Sequence, residues 1–161
     1  MTEAERLLDK HRHNGLLVDS NLFLLFLVGS TNESRIAKFN RTQKYTIGDF
    51  RLLRGFIGQF KSVSTTPHIL AEVSNLSTIE EPELGTMRAT FHNIVRQTEE
   101  FYEESREVMT DAAFAKLGLT DAAIRRIASR PLLVLTDDLP LYHYLSTAGL
   151  DAINFNHIRM L

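Results

Sequence analysis

Leu16-Leu17-Val18-Asp19-Ser20-Asn21 decides the fold. An unbroken apolar run stops on an acid, and a second segment repeats the arrangement: Leu132-Leu133-Val134-Leu135 leads into Thr136-Asp137-Asp138. A short apolar run without polar alternation suits a strand covered on both faces, as strands of parallel sheets are. Working outward, Asn21 to Gly29 is helical and almost wholly apolar, so it reads as a buried helix. Ser30 to Asn40 reads as a second short helix, followed by a polar turn to Lys44. Thr46 to Phe60 places Ile47, Phe50, Leu53 and Ile57 at helical spacing, and Lys61 to Thr66, rich in Ser, Thr and Val, reads as a strand. Pro67 opens a helix to about Leu76, where its missing N–H costs nothing.

Pro82 is expected to open the longest helix, reaching about Val108, with Glu99 to Glu107 as a solvated face. Thr110 and Thr120 stand as N-caps, each beside an aspartate. Pro131 ends the helix that holds Asp121, Leu139 to Thr147 forms a short helix, Ala152 to Phe155 a last strand, and His157 to Leu161 a tail. Residues 1–14 form an N-terminal helix or arm. Strands alternating with helices imply the α/β class: a three-layer αβα sandwich around a short parallel sheet of four or five strands, in a single domain over residues 1–161.

Composition narrows the function classes. A chain of 161 residues, 43% hydrophobic and 24% charged, has ordinary globular usage, which sets aside a disordered chain, a fibre and a coiled coil. Cysteine is absent, which excludes a disulfide framework, a thiolate zinc site and a cysteine nucleophile. A formal net charge of −2 argues against a strongly basic nucleic-acid glue. The longest apolar run, Leu22 to Val28, is too short to span a bilayer, so the expected location is the cytoplasm, with no membrane partner.

In parallel sheets, ligand sites form beyond the carboxyl ends of the strands, near the point where strand order reverses. Asp19 and the Asp137-Asp138 pair follow two such ends. Each acid taken singly has a plain role: Asp19, Asp137 or Asp138 as an N-cap, Asp121 as an acid in the first turn of a helix. Glu72 lies at the flank of the face formed by Ile69, Val73 and Leu76 and needs a partner there. Taken together, clustered carboxylates repel, and an oxygen-ligated Mg²⁺ or Mn²⁺ relieves that repulsion.

The order of these pieces, strand–Asp19-Ser20-Asn21, Thr66-Pro67…Glu72, Leu119-Thr120-Asp121 and strand–Thr136-Asp137-Asp138, resembles the PIN-domain family of metal-dependent nucleases from about Leu16 to Phe155. The resemblance implies that Asp19, Glu72, Asp121 and Asp138 are the catalytic and metal-holding acids, with Mg²⁺ or Mn²⁺ as cofactor. It makes Ser20, Asn21 and Thr136 supporting residues. Asp137 occupies the family's variable position, as a supporting residue or an alternative ligand. The implied activity is endoribonuclease hydrolysis of RNA. The implied partners are RNA, an antitoxin protein if the chain is the toxin of a toxin–antitoxin pair, and a second copy in a homodimer. Arg35, Lys38, Arg41 and Lys44, gathered on one stretch, are the candidate phosphate contacts. Tyr45 or Tyr142 could stack a base, although packing suits both, and the six histidines show no ligand spacing. The competing reading is a non-catalytic PIN-like module that binds nucleic acid or protein. An aspartyl phosphatase or receiver is disfavoured, since Asp19-Ser20-Asn21 lacks the Asp-x-Asp or acid pair such proteins place there.

Overall fold

β1 (Leu16–Val18) is the centre from which the sheet is laid out. The computed structural model describes residues 1–160. Among them, five strands form one all-parallel sheet in the order β3-β2-β1-β4-β5, with β2 at Val63–Thr65, β3 at Thr98–Glu100, β4 at Leu133–Thr136 and β5 at Ala152–Asn154. Leu16 faces both Val63 and Leu133, and Val18 faces Leu135, so β1 and β4 end nearly flush. The Asp19 N–H extends the ladder by donating to the Leu135 carbonyl at 3.0 Å. Strand order reverses at β1, because β2 and β3 are added on one side and β4 and β5 on the other.

The helices are α1 (Glu3–His11), α2 (Ser20–Thr31), α3 (Ile47–Ile57), α4 (Pro67–Leu76), α5 (Glu83–Val95), α6 (Ser105–Val108), α7 (Ala112–Leu117), α8 (Leu119–Ile127), α9 (Leu139–Thr147) and α10 (Phe155–Arg159). Right-handed crossovers put the helices between β1 and β3 on one face and those leading to β4 and β5 on the other. The contacts agree: α2 packs against α3, α4 and α5, while α7 meets α8 and α9, and α9 lies on β4 and β5. The expected α/β sandwich is therefore the observed architecture.

α2 is buried all round because it is apolar all round: Leu22, Phe23, Leu24, Leu25, Leu27 and Val28 are all enclosed. Each such side chain contributes roughly 1.5–3 kcal/mol on burial, so this one helix anchors the first layer. Its Gly29 lets α3 approach. A Cβ there would lie 2.3 Å from a Phe50 ring carbon, and Phe50 is itself enclosed. Overpacking costs about 1–3 kcal/mol, against a helix gain of about 1 kcal/mol for alanine over glycine. With a ring that cannot swing clear, the clash wins. Gly29→Ala is expected to lower stability by about 2 kcal/mol, seen as a lower urea midpoint with an unchanged slope. A midpoint at or above the natural protein's would show that α3 yields freely.

Four local expectations are corrected. The stretch from Pro82 to Val108 is not one helix: α5 stops at Val95, and Thr98–Glu100 is the edge strand β3, pairing with β2 through backbone alone. Its exposed glutamates carry no apolar signal, and that hid the strand. Ser30 to Asn40 is no second α-helix; α2 runs on to Thr31, and only Glu33–Arg35 coils, as a 3₁₀ turn capped by Asn32. The caps also shift: Asp111, not Thr110, caps α7, and Gly118, two residues before Thr120, precedes α8. The expected tail holds α10, while Leu161 lies outside the described residues. Among the described residues, no helix is long and apolar enough to cross a membrane.

Candidate active site

Asp19 leaves the end of β1 as the N-cap of α2 and is buried. Its Oδ1 accepts from the Ser20 N–H at 2.6 Å, and its Oδ2 accepts from the Thr136 hydroxyl at 2.6 Å. Thr136 in turn accepts from the Asp138 N–H at 3.0 Å, so one threonine couples the two strand ends. Asp138 caps α9 by accepting from the Leu141 N–H at 3.0 Å. The capping role and the site role of these two acids are therefore the same placement: one carboxylate starts a helix and points its acid edge at the sheet's switch point.

The other two acids come from helices. Thr66 caps α4, accepting from the Ile69 N–H at 3.2 Å, and Pro67 opens its first turn. This sets Glu72 one turn further along, half-buried. Its Oε2 accepts a short hydrogen bond from the Thr120 hydroxyl, tying α4 to α8. Asp121 follows Thr120 in the first turn of α8. The turn before it needs Gly118, whose φ of 88° and ψ of −178° lie in a region essentially reserved for glycine.

Asp19, Glu72, Asp121 and Asp138 line one cleft of about 350 Å³, together with Ser20, Asn21, Leu117, Gly118, Leu119 and Thr120. Their fields overlap. Burial first, then the charges of Asp19, Asp138 and Glu72, push the Asp121 carboxyl up to about 7. Burial, partly offset by the Thr136 and Ser20 hydrogen bonds and reinforced by Asp137 and Asp138, pushes Asp19 up to about 6. Among the described residues, no three acid or histidine side chains are drawn together into a ready metal cage. The cleft's chemistry nonetheless fits a hard divalent cation: the donors are oxygens, the acids repel one another, and the buried Ser20 hydroxyl has no partner.

The structure separates the remaining candidates. Asn21 lines the cleft, and its Nδ2 donates to Asp137 at 3.4 Å. Asp137 is not among the residues that line the cleft. Its side chain, 3% exposed, accepts from the Tyr45 hydroxyl and from Lys44 at 3.1 Å. Burial, followed by Asp137, pushes the Tyr45 phenol up, and a residue so enclosed offers no face to a base. Tyr142 is half-buried, packed edge-on against His157. Of the four cations expected to meet phosphate, Arg35 is paired with Glu83 and Lys44 with Asp137; Lys38 and Arg41 are exposed and make no ion pair among the described residues. The stretch is thus half committed to holding the fold.

Two contributions were missed in the sequence. Thr120 orients Glu72, a role hidden because a threonine beside an aspartate looks like a cap. Tyr45 buries Asp137, and nothing local marks a contact 92 residues apart. Compared with family models, curated proteins and solved structures, the chain finds no match.

Proposed function

We propose that this protein is a Mg²⁺- or Mn²⁺-dependent endoribonuclease of the PIN type, acting in the cytoplasm. The observation that supports it best is the convergence of Asp19, Glu72, Asp121 and Asp138 on one cleft at the switch point of a parallel sheet. These carboxylates come from four separate segments, and their mutual repulsion calls for a cation. A divalent cation held by them would supply Lewis-acid activation of water and neutralise charge on the reacting phosphate.

The chain's own residues provide the positioning. Thr136 fixes Asp19, and Thr120 fixes Glu72. Ser20 stands beside Asp19 in the cleft lining, its buried hydroxyl without a partner. Hydrolysis forms one P–O bond from water and breaks one to the leaving ribose oxygen, which takes up a proton. An antitoxin protein and a second copy of the chain are further proposed partners, on the strength of the family resemblance.

The absence of a ready metal cage among the described residues favours the second reading, a non-catalytic binding module. One experiment separates the two: incubation of labelled single-stranded RNA with Mn²⁺, with Mg²⁺ and with EDTA. The nuclease reading expects cleavage in the metal lanes alone. No cleavage together with calorimetric metal binding would remove RNA as the substrate. No cleavage and no metal binding would leave the binding module.

A further inference from the structure

The helices that close the acid cleft also wall a second depression. This open groove of about 710 Å³ is lined by Lys116 and Leu117 of α7, Arg125 of α8, and His143, Tyr144 and Thr147 along α9. Leu117 lines both the groove and the cleft, so the two adjoin. The helix geometry gives the same result. Arg125 lies four residues after Asp121, on the same side of α8, and α9 is the helix that Asp138 caps. Among the described residues no acid lines the groove, and neither Lys116 nor Arg125 forms an ion pair. The adjacent Arg126, by contrast, is held by Glu103 at 2.8 Å. Tyr144 is half-buried, its ring steadied by packing on the small cluster of Val108, Ala113, Ala122 and Ala123.

We infer that this groove carries the backbone of single-stranded RNA into the acid cleft, with Lys116 and Arg125 on phosphates and Tyr144 as a platform for one base. The inference rests on the nuclease reading and gives it a substrate path, one different from the Arg35–Lys44 stretch. Free cations beside a pocket of acids resolve an electrostatic difficulty. A polyanion approaching four carboxylates is repelled, whereas one held on the adjoining wall is delivered to them. Phosphate contacts set position and carry no sequence preference, and aromatic stacking tolerates any base. The groove therefore implies cleavage chosen by access to a single strand.

The test is fluorescence anisotropy of a labelled single-stranded RNA 20-mer in EDTA, which prevents turnover, followed by steady-state cleavage in the supporting metal. Lys116→Gln/Arg125→Gln is compared with the natural protein and with Arg88→Gln/Arg96→Gln, two exposed arginines on α5 and at its C-terminal end that line neither the groove nor the cleft. The groove variant should bind about tenfold more weakly or worse, and its salt slope should fall by about 1.4, at roughly 0.7 per phosphate contact on a single strand. Its KM should rise while kcat holds. The charge-keeping pair Lys116→Arg/Arg125→Lys should restore most of the affinity, which separates lost charge from lost fold. The Arg88/Arg96 variant should bind like the natural protein.

Unchanged affinity and slope in the groove variant, with normal metal-dependent cleavage, would overturn the path and leave the nuclease standing. Equal binding of a polyglutamate 20-mer, lost in parallel with RNA, would overturn RNA as the occupant. A natural protein that neither binds nor cleaves RNA would remove the nuclease reading and the groove together.

Discussion

Asp19→Asn is expected to lose activity while gaining stability. The loss should be on the order of 10²–10³-fold or more, the scale seen when one preorganised electrostatic contact is removed from a reacting centre. The gain follows from where Asp19 sits. Its carboxyl is buried and pushed up to about 6 from an ordinary 3.8, so at pH 8, without a cation, its charge costs on the order of 2–3 kcal/mol. Asparagine removes that charge and keeps the cap, since its Oδ1 can still accept from the Ser20 N–H and Asn is as good an N-cap as Asp. One bond suffers: the Thr136 hydroxyl, which now donates to Oδ2, would meet an amide N–H instead. That loss is worth about 1 kcal/mol, less than the relief. The metal-free variant should therefore melt higher than the natural protein at pH 8 and show little turnover. A variant that melts well below the natural protein would make Asp19 a structural cap, and the proposed site would lose its central acid.

This opposition explains why so much of the site is legible in the sequence. The charge of Asp19 at the end of β1 is buried at a cost in stability, and an acid also follows β4. Because both strands are unbroken apolar runs, the parallel sheet could be read from pattern alone, and the parallel sheet predicts where the acids meet. What could not be read has a common cause: the deciding contacts are long-range and polar. β3 is held by backbone pairing with β2, and its two glutamates point at solvent. Asp137 reads in the sequence as a supporting residue or an alternative ligand, and the partners that hold it, Tyr45 and Lys44, lie some ninety residues away along the chain. Arg35 to Lys44 looks like a basic track until Glu83 and Asp137 neutralise two of its charges. Lys116 and Arg125 draw no notice along the chain because they lie on separate helices, and only the packing of α7, α8 and α9 sets them on one groove.

The second large effect is a stability that depends on pH and on divalent cation together. Asp19 at about 6 and Asp121 at about 7 both stand above their ordinary 3.8. Between about pH 4 and pH 7 the native state therefore holds protons that the unfolded chain has released. A raised carboxyl contributes stability that is fully present below the unfolded value and lost as pH rises through the folded one. The metal-free protein should accordingly grow less stable from pH 4 to pH 8. Asp19 alone accounts for on the order of 2–3 kcal/mol, and half-exposed Asp121 for less than its shift suggests, because solvent screens it. Cation binding reverses the trend, since it requires the charged forms. At pH 8, Mn²⁺ at a hundred times its dissociation constant should add about 2.7 kcal/mol, a rise in Tm of roughly 5–10 °C for a chain of this size. At pH 5, where Asp19 and Asp121 hold their protons, the same concentration should add much less. Differential scanning fluorimetry at both pH values, with EDTA and with Mn²⁺, reads all four corners. A Tm that ignores Mn²⁺ at pH 8 would mean that the four acids bind no cation and that the cleft's repulsion is relieved by protonation alone. An equal rise at pH 5 and pH 8 would place the cation on other groups.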